Sequence, residues 1–284
     1  MAASADVAPK VERNVVYGMY SGLALLLDVH RPARPNGFGI VFISGSGWQA
    51  GLDYGAAPLK EQQIGIWGPP LLAAGYTVFA INHRAAPRFH YPAAIEDVQR
   101  AIRFVRHHAR DYGIDAARLG GLGGSSGGHL IGLAAMLASP GNPADGDPVN
   151  RESAALQAVV LRAPLVDLRN VGTVDGMAYV VSFLDAPPSN ASASAAYAAA
   201  SPLTHVNPRS PPVLLLHGDG DVLVPPAQSQ ALEAALRQAG VPVKLLMIPG
   251  GVHAADFGAT PPRREWPDFF GEAVRWMDRH LRGL

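Results

Sequence analysis

The sequence predicts an α/β fold in which a mainly parallel central sheet is covered by helices on both faces. Three observations predict it. From residue 39 to the C-terminus, strand patterns alternate with helix patterns, the order that builds parallel sheets. The strands read as short, continuous, β-branched apolar runs, as expected when both faces are buried. One helix is apolar nearly all round, so it belongs inside.

The elements follow in order. Asn14-Val-Val-Tyr-Gly-Met and Leu23 to His30 form a strand pair around a turn at Tyr20-Ser-Gly. Gly39-Ile-Val-Phe-Ile and Tyr76-Thr-Val-Phe-Ala-Ile are buried strands. Residues 44–70 between them are loop-rich, leading to a short helix over Pro70 to Ala74 that Gly75 stops. Over 93–112, Ile95, Val98, Ile102, Val105, Ala109 and Tyr112 share one helical face, and Gly113 ends it. Arg118 to Gly124 is a glycine-rich strand entering the apolar helix His129 to Leu137. Leu156 to Leu161, Val213 to His217 and Val243 to Ile248 are further strands. Helices over Gln228 to Gln238, with Gly240 as cap, and over Trp266 to Leu281 complete the chain.

The chain, 1–284, reads as a single domain. Residues 167–210, rich in Ala, Ser and Pro over 186–201, read as a small lid or cap excursion above the sheet. The formal net charge is zero and the arginines are scattered; Arg263-Arg264 beside Glu265 is a solvated surface run. No nucleic-acid or anionic-membrane partner is implied. No stretch approaches the length of a membrane-spanning helix. The absence of cysteine excludes disulfides, thiolate catalysis and thiolate metal sites. Met1 to Lys10 lacks an apolar core of signal-peptide length, which leaves a cytoplasmic protein and a secreted mature form both open.

Leu119-Gly-Gly-Leu-Gly-Gly-Ser-Ser-Gly-Gly-His-Leu joins a strand to a helix and contains Gly-x-Ser-x-Gly. A serine pushed up between strand and helix needs small residues two before and two after it. The free N–H groups of the helix start favour developing negative charge. Both Ser125 and Ser126 satisfy the spacing, and periodicity does not choose between them. Two later strands end in polar loops: Leu214-Leu-Leu-His-Gly-Asp-Gly-Asp-Val-Leu-Val-Pro-Pro and Met247-Ile-Pro-Gly-Gly-Val-His-Ala. Such loops collect at the carboxyl edge of a parallel sheet, where sites in open α/β folds lie. Serine, acid and histidine in this order suit nucleophilic catalysis, in which imidazole takes the hydroxyl proton and a carboxylate orients the imidazole.

These segments resemble the elbow, acid loop and histidine loop of α/β-hydrolase-fold serine esterases, in the esterase/lipase branch (BD-FAE-like, hormone-sensitive-lipase-like). The likeness spans roughly residues 35–284. In the pattern Gly-x-Ser-Ala-Gly-Gly-His the nucleophile lies four residues before the histidine, which implies Ser125; Ser126 takes the alanine position. The acid precedes Val-Leu-Val-Pro, which implies Asp221, and the histidine after Pro-Gly-Gly implies His253. Asp219 then caps its turn, and Asp167 is a weaker alternative acid. Ile43-Ser-Gly-Ser-Gly-Trp stands where the family has His-Gly-Gly-Gly-Trp, with Ser44 for the histidine and Ser46 for a glycine. The resemblance makes the N–H groups of Ser46, Gly47 and Ser126 the oxyanion-hole candidates. The exchanges raise two questions: how the loop is braced, and whether Ser46 holds a backbone angle a serine tolerates. Trp48, a candidate substrate contact, and Trp67 are candidate pocket walls, with core packing the alternative for both. Ile81-Asn-His-Arg-Ala-Ala-Pro and Tyr91-Pro-Ala-Ala-Ile-Glu-Asp-Val extend the likeness, with Arg84 and Asp97 structural.

The other histidines read as structural. His129 is packed and hydrogen-bonded on the buried helix, His217 bonds loop backbone, and adjacent His107 and His108 point apart. No metal-ligand spacing occurs, so neither metal nor organic cofactor is implied. The expected activity is that of a serine carboxylesterase acting through an acyl-enzyme on a small-molecule ester, short-chain or carbohydrate-linked (acetyl or feruloyl type). The alternatives are amide cleavage on the same fold, by a peptidase or formamidase, and a catalytically silent binding protein. Oligomeric state is not legible.

Overall fold

The computed structural model describes residues 10–253 and 266–284. The Arg263-Arg264-Glu265 run and most of the Met1 to Lys10 segment lie outside the described residues. Eight strands form one sheet in the order β1-β2-β4-β3-β5-β6-β7-β8. They are β1 (Lys10–Tyr20), β2 (Leu23–Arg31), β3 (Gly39–Ile43), β4 (Thr77–Ile81), β5 (Leu119–Gly124), β6 (Ala158–Arg162), β7 (Val213–Gly218) and β8 (Val243–Ile248). β1, β2 and β4 pair antiparallel; every pairing from β4 across to β8 is parallel. The predicted sheet is therefore present, with the hairpin at one edge.

Alternate residues of each central strand face opposite layers. Val41, Ile43, Phe79, Ile81, Val159, Leu161, Val213 and Leu215 join the core under α2 (Ala93–His107), α4 (Ser126–Leu137) and α7 (Ala227–Gln238). Ile40, Phe42, Val78, Ala80, Ala158, Val160, Leu214 and Leu216 join the core under α1 (Ile64–Ala73) and α8 (Phe269–Met277). Burial on both faces is why these strands show no polar alternation. Each buried Val, Leu, Ile or Phe among them is worth about 1.5–3 kcal/mol of transfer free energy.

Several boundaries differ from the sequence expectation. β1 starts at Lys10, not Asn14, because Asn14 sits in a bulge at φ 58° and the register shifts between Glu12 and Val15. α1 starts six residues before Pro70 and carries Pro69 and Pro70 inside it. The prolines read as a helix start, but burial of Trp67 and Leu71 extends the helix N-terminally. The long helix over 93–112 breaks at His108 into α2 and a four-residue α3 (Ala109–Tyr112), which Gly113 ends. α4 begins at Ser126, three residues before the expected start. α8 spans Phe269–Met277, followed by a wider turn over Asp278–Arg282, so Trp266 precedes the helix.

Between β6 and β7, residues 167–210 carry α5 (Val174–Leu184) and a short α6 (Ser194–Ala199). α5 is tied down at its start. The Thr173 hydroxyl accepts the Gly176 N–H at 3.1 Å and donates to the Leu223 carbonyl at 2.8 Å. Thr173→Ala is therefore expected to lower stability by about 1 kcal/mol, the usual worth of an N-cap. Urea unfolding of the variant checks this.

β3 has β4 on one side and β5 on the other. The chain thus leaves β3 toward one edge and β5 toward the other, and a crevice opens outside their carboxyl ends.

Candidate active site

Ser125 occupies that crevice, on the turn from β5 into α4. Its backbone stands at φ 53°, ψ −123°, a conformation that costs a residue with a Cβ about 1–3 kcal/mol. The turn holds because it is tied on both sides. The Ser125 N–H donates to the Arg162 carbonyl at 2.7 Å, and the Ser125 carbonyl accepts from His129 N–H at 2.8 Å. Gly127 is required there, since a Cβ at that position would strike the main-chain oxygen of Ile43.

His253 reaches Ser125 from the loop after β8, and Asp221 reaches His253 from the loop after β7. His253 Nε2 lies 2.8 Å from Ser125 Oγ, and His253 Nδ1 lies 2.7 Å from Asp221 Oδ2. A carboxylate only accepts, so Nδ1 carries the proton and Nε2 is free to accept from the serine hydroxyl. Asp221 Oδ1 accepts the N–H groups of Leu223 at 3.1 Å and Val224 at 2.9 Å. Burial raises the Asp221 pKa, but hydrogen bonds from His217, His253 and the Val224 N–H outweigh it and hold the carboxyl well below its ordinary range.

The rival residues lie elsewhere. The Ser126 hydroxyl turns toward the β3 loop and accepts the Ser46 N–H at 2.9 Å. Asp219 accepts the Gly250 N–H at 2.6 Å, joining the acid and histidine loops rather than capping its own turn. Asp167 is paired with Arg169 at 2.7 Å. His107 and His108 face Glu152 and Asp111 respectively. Among the described residues, no group of three or more His, Asp or Glu is placed to hold a metal ion. No helix of the described residues is long and apolar enough to cross a membrane.

The β3 loop answers both questions its sequence raised. Gln63 braces it: its Oε1 accepts the Gly45 N–H at 3.0 Å and its own N–H donates to Ser44 Oγ at 3.3 Å. The positive angles fall on Gly47 (φ 64°) and Trp48 (φ 58°), not on Ser46. Gly47 must be glycine for space as well, because an added Cβ would lie 2.5 Å from the Tyr179 ring. The Ser46 N–H is engaged by Ser126 Oγ, whereas the N–H groups of the other two candidates, Gly47 and Ser126, donate to no acceptor among the described residues.

Trp48 packs into the core beside the cavity. Its left-handed backbone turns the indole inward, where it is fully buried. It stacks on Phe183 at 4.6 Å and donates to His129 Nδ1 at 3.0 Å. His129 Nε2 in turn faces the Ala200 carbonyl at 2.7 Å, and burial pushes its pKa down to about 4. Trp48 therefore braces the β3 loop against α4 and α5, and it also lines the cavity shared by Ser125 and His253. Trp67 is likewise packed, against Phe270.

Ser125 and His253 open into a cavity of ≈ 180 Å³ whose apolar walls include Leu165, Tyr179, Leu223 and Val224. Arg162 also lines it. The sequence reading passed over this residue, although a charge at the carboxyl end of an apolar strand was a usable signal. It is buried, which pushes its pKa down to about 10 against the pull of Asp221, and its guanidinium donates to the His253 carbonyl. One residue thus holds both the Ser125 turn and the histidine loop.

The fold and the meeting of these three loops at the switch point define the α/β-hydrolase class. Comparison with known proteins narrows this. The BD-FAE family model matches residues 27–236, and the chain belongs to that family. Esterase LipQ of Mycobacterium tuberculosis is 36% identical over 199 residues, 67% of this chain and 45% of its own length. Probable carboxylic ester hydrolase LipM of the same organism is 32% identical over 251 residues, 86% and 56% of the two lengths. The chain thus spans about half the length of these relatives. Among solved structures, a truncated carbohydrate esterase from gut microbiota superposes with TM-score 0.77 at 28% identity, covering 95% of this chain and 98% of that one.

Proposed function

We propose that the chain is a carboxylic ester hydrolase using Ser125, His253 and Asp221 as its triad. The carrying observation is the continuous set of contacts Ser125 Oγ to His253 Nε2 and His253 Nδ1 to Asp221 Oδ2, at 2.8 and 2.7 Å, opening on one cavity. His253 takes the hydroxyl proton as Ser125 attacks the ester carbonyl, forming an acyl-enzyme. The N–H groups of Gly47 and Ser126 receive the developing oxyanion. His253 then protonates the leaving alkoxide, and water activated by the same imidazole releases the acid.

The small cavity and its apolar walls favour a short acyl group on the ester. The carbohydrate esterase among the structural relatives supports sugar-linked acetyl or related esters as the substrate class. The names of LipQ and LipM support ester over amide cleavage.

A p-nitrophenyl ester series from acetate to octanoate, run beside peptide and formamide substrates, tests the reading. Fastest turnover is expected at acetate to butyrate, with covalent fluorophosphonate labelling of wild type and none of Ser125→Ala. Labelling without ester turnover, or turnover of amides alone, would replace the esterase reading.

A further inference from the structure

The proposed triad has a second histidine behind its acid. We propose that His217 is a positioning residue, donating its Nε2–H to the Asp221 carboxylate and so holding that group turned toward His253, while the Ser229 hydroxyl fixes the tautomer that permits it. This rests on the triad reading above.

His217 ends β7 and is fully buried. Its Nε2 has two neighbours, and both are acceptors: the Val224 carbonyl at 2.9 Å and Asp221 Oδ2 at 3.3 Å. A bare nitrogen between two oxygens would be repelled by both, so Nε2 carries hydrogen. On the other side of the ring, Nδ1 lies 2.7 Å from Ser229 Oγ, a buried hydroxyl in the first turn of α7. In the proposed arrangement that hydroxyl donates to a bare Nδ1, with the ring hydrogen on Nε2.

The consequence falls on Asp221. Its Oδ1 is fixed by two main-chain N–H groups, but Oδ2, the oxygen that faces His253, is approached only by the imidazoles of His253 at 2.7 Å and His217 at 3.3 Å among the described residues. Without His217, the working oxygen is held by the residue it is meant to orient. A chain of contacts then runs Ser229, His217, Asp221, His253, Ser125, and only its last three members were legible from family resemblance. His217 also bonds the Val224 carbonyl, as the sequence reading expected; the further step is the bond to the acid.

The test compares wild type, His217→Leu, His217→Gln and Ser229→Ala on p-nitrophenyl acetate, with nitrogen-15 NMR of the wild-type histidines. A hydrogen bond to a charged group is worth about 1.5–3 kcal/mol. His217→Leu is therefore expected to lose roughly 10- to 100-fold in kcat at 1.4 kcal/mol per decade, with KM within about twofold. His217→Gln keeps an N–H donor and is expected to recover most of the loss, and Ser229→Ala to lose less than His217→Leu. The wild-type spectrum is expected to show His217 with hydrogen on Nε2 alone. Full activity in His217→Leu, equal losses in the Leu and Gln variants, or hydrogen on Nδ1 would each overturn the inference. If His217→Leu does not fold, the tautomer and the Ser229→Ala rate decide it. A wild type with neither ester turnover nor fluorophosphonate label sinks the triad reading and this inference with it; an active wild type with any overturning result sinks this inference alone.

Discussion

Ser125→Ala is expected to lower kcat on p-nitrophenyl acetate by roughly 10⁴- to 10⁶-fold, the loss that follows removal of a nucleophile whose triad acts as a unit. Its stability should barely change, because alanine keeps the Cβ and therefore the strain. Ser125→Gly separates chemistry from backbone. Both variants lose the hydroxyl and its bond to His253, but glycine alone relaxes φ 53°. Relief of about 1–3 kcal/mol of strain, less about 0.5–1 kcal/mol for the extra freedom of an unfolded glycine, leaves Ser125→Gly more stable than Ser125→Ala by up to about 2.5 kcal/mol. Urea unfolding of the pair measures the difference. Residual turnover in Ser125→Ala near the wild-type rate would remove the serine from the mechanism. A Ser125→Gly less stable than Ser125→Ala by the full glycine cost of about 0.5–1 kcal/mol would mean the turn stores no strain.

Much of this site could be read from the sequence because its parts are local. Gly-x-Ser-x-Gly encodes a tight turn in five residues, and the acid and histidine loops each follow an apolar run that marks a strand end. Parallel strands bring their carboxyl ends to one edge, so three short motifs suffice to assemble Ser125, Asp221 and His253 without any long-range inference about packing. What failed was everything that depends on direction rather than order. Trp48 could line a pocket or fill a core, and only its positive φ and the acceptor on His129 show that it packs inward beside the Ser125 cavity. The Ser46 N–H looked as available as that of Gly47, but the hydroxyl of Ser126, 80 residues away, takes it. The alternative serine, Ser126, thus braces the loop opposite. Arg162 carries no motif, and its place at the site follows from the register of β5 against β6, which pairs Gly124 with Arg162. α1 was misplaced because its prolines argue locally against a helix that burial of Trp67 extends.

The bracing by Trp48 and His129 has its own pH signature. His129 is fully buried, with Nδ1 accepting from Trp48 and Nε2 facing the Ala200 carbonyl, and burial pushes its pKa down to about 4. In the unfolded chain it titrates near 6.5. As pH falls from 6.5 to 4, the unfolded state therefore takes up a proton that the folded state refuses, and the balance moves toward unfolding. The stability held by keeping His129 neutral is fully present above pH 6.5 and is lost as pH falls to 4. At 1.36 kcal/mol per pH unit this amounts to about 3 kcal/mol. Burial lowers the pKa of His83 and His30 as well, so they act in the same sense; Asp221, whose pKa is also lowered, loses its contribution only below the ordinary carboxylate range. His129→Asn separates these terms. It is expected to be less stable at pH 7 but to show a flatter dependence between pH 6.5 and 4, by one proton's worth of slope, in urea unfolding at pH 4, 5, 6 and 7. An unchanged slope would mean His129 is not the group that titrates. The loop should report the same event, because a protonated Nδ1 no longer accepts the indole N–H. Wild-type tryptophan fluorescence is then expected to shift as pH approaches 4 before global unfolding, and Trp48→Phe to abolish that shift, since Trp48 is the tryptophan bonded to the titrating ring and next in the chain to the Gly47 N–H on which oxyanion binding is proposed to depend.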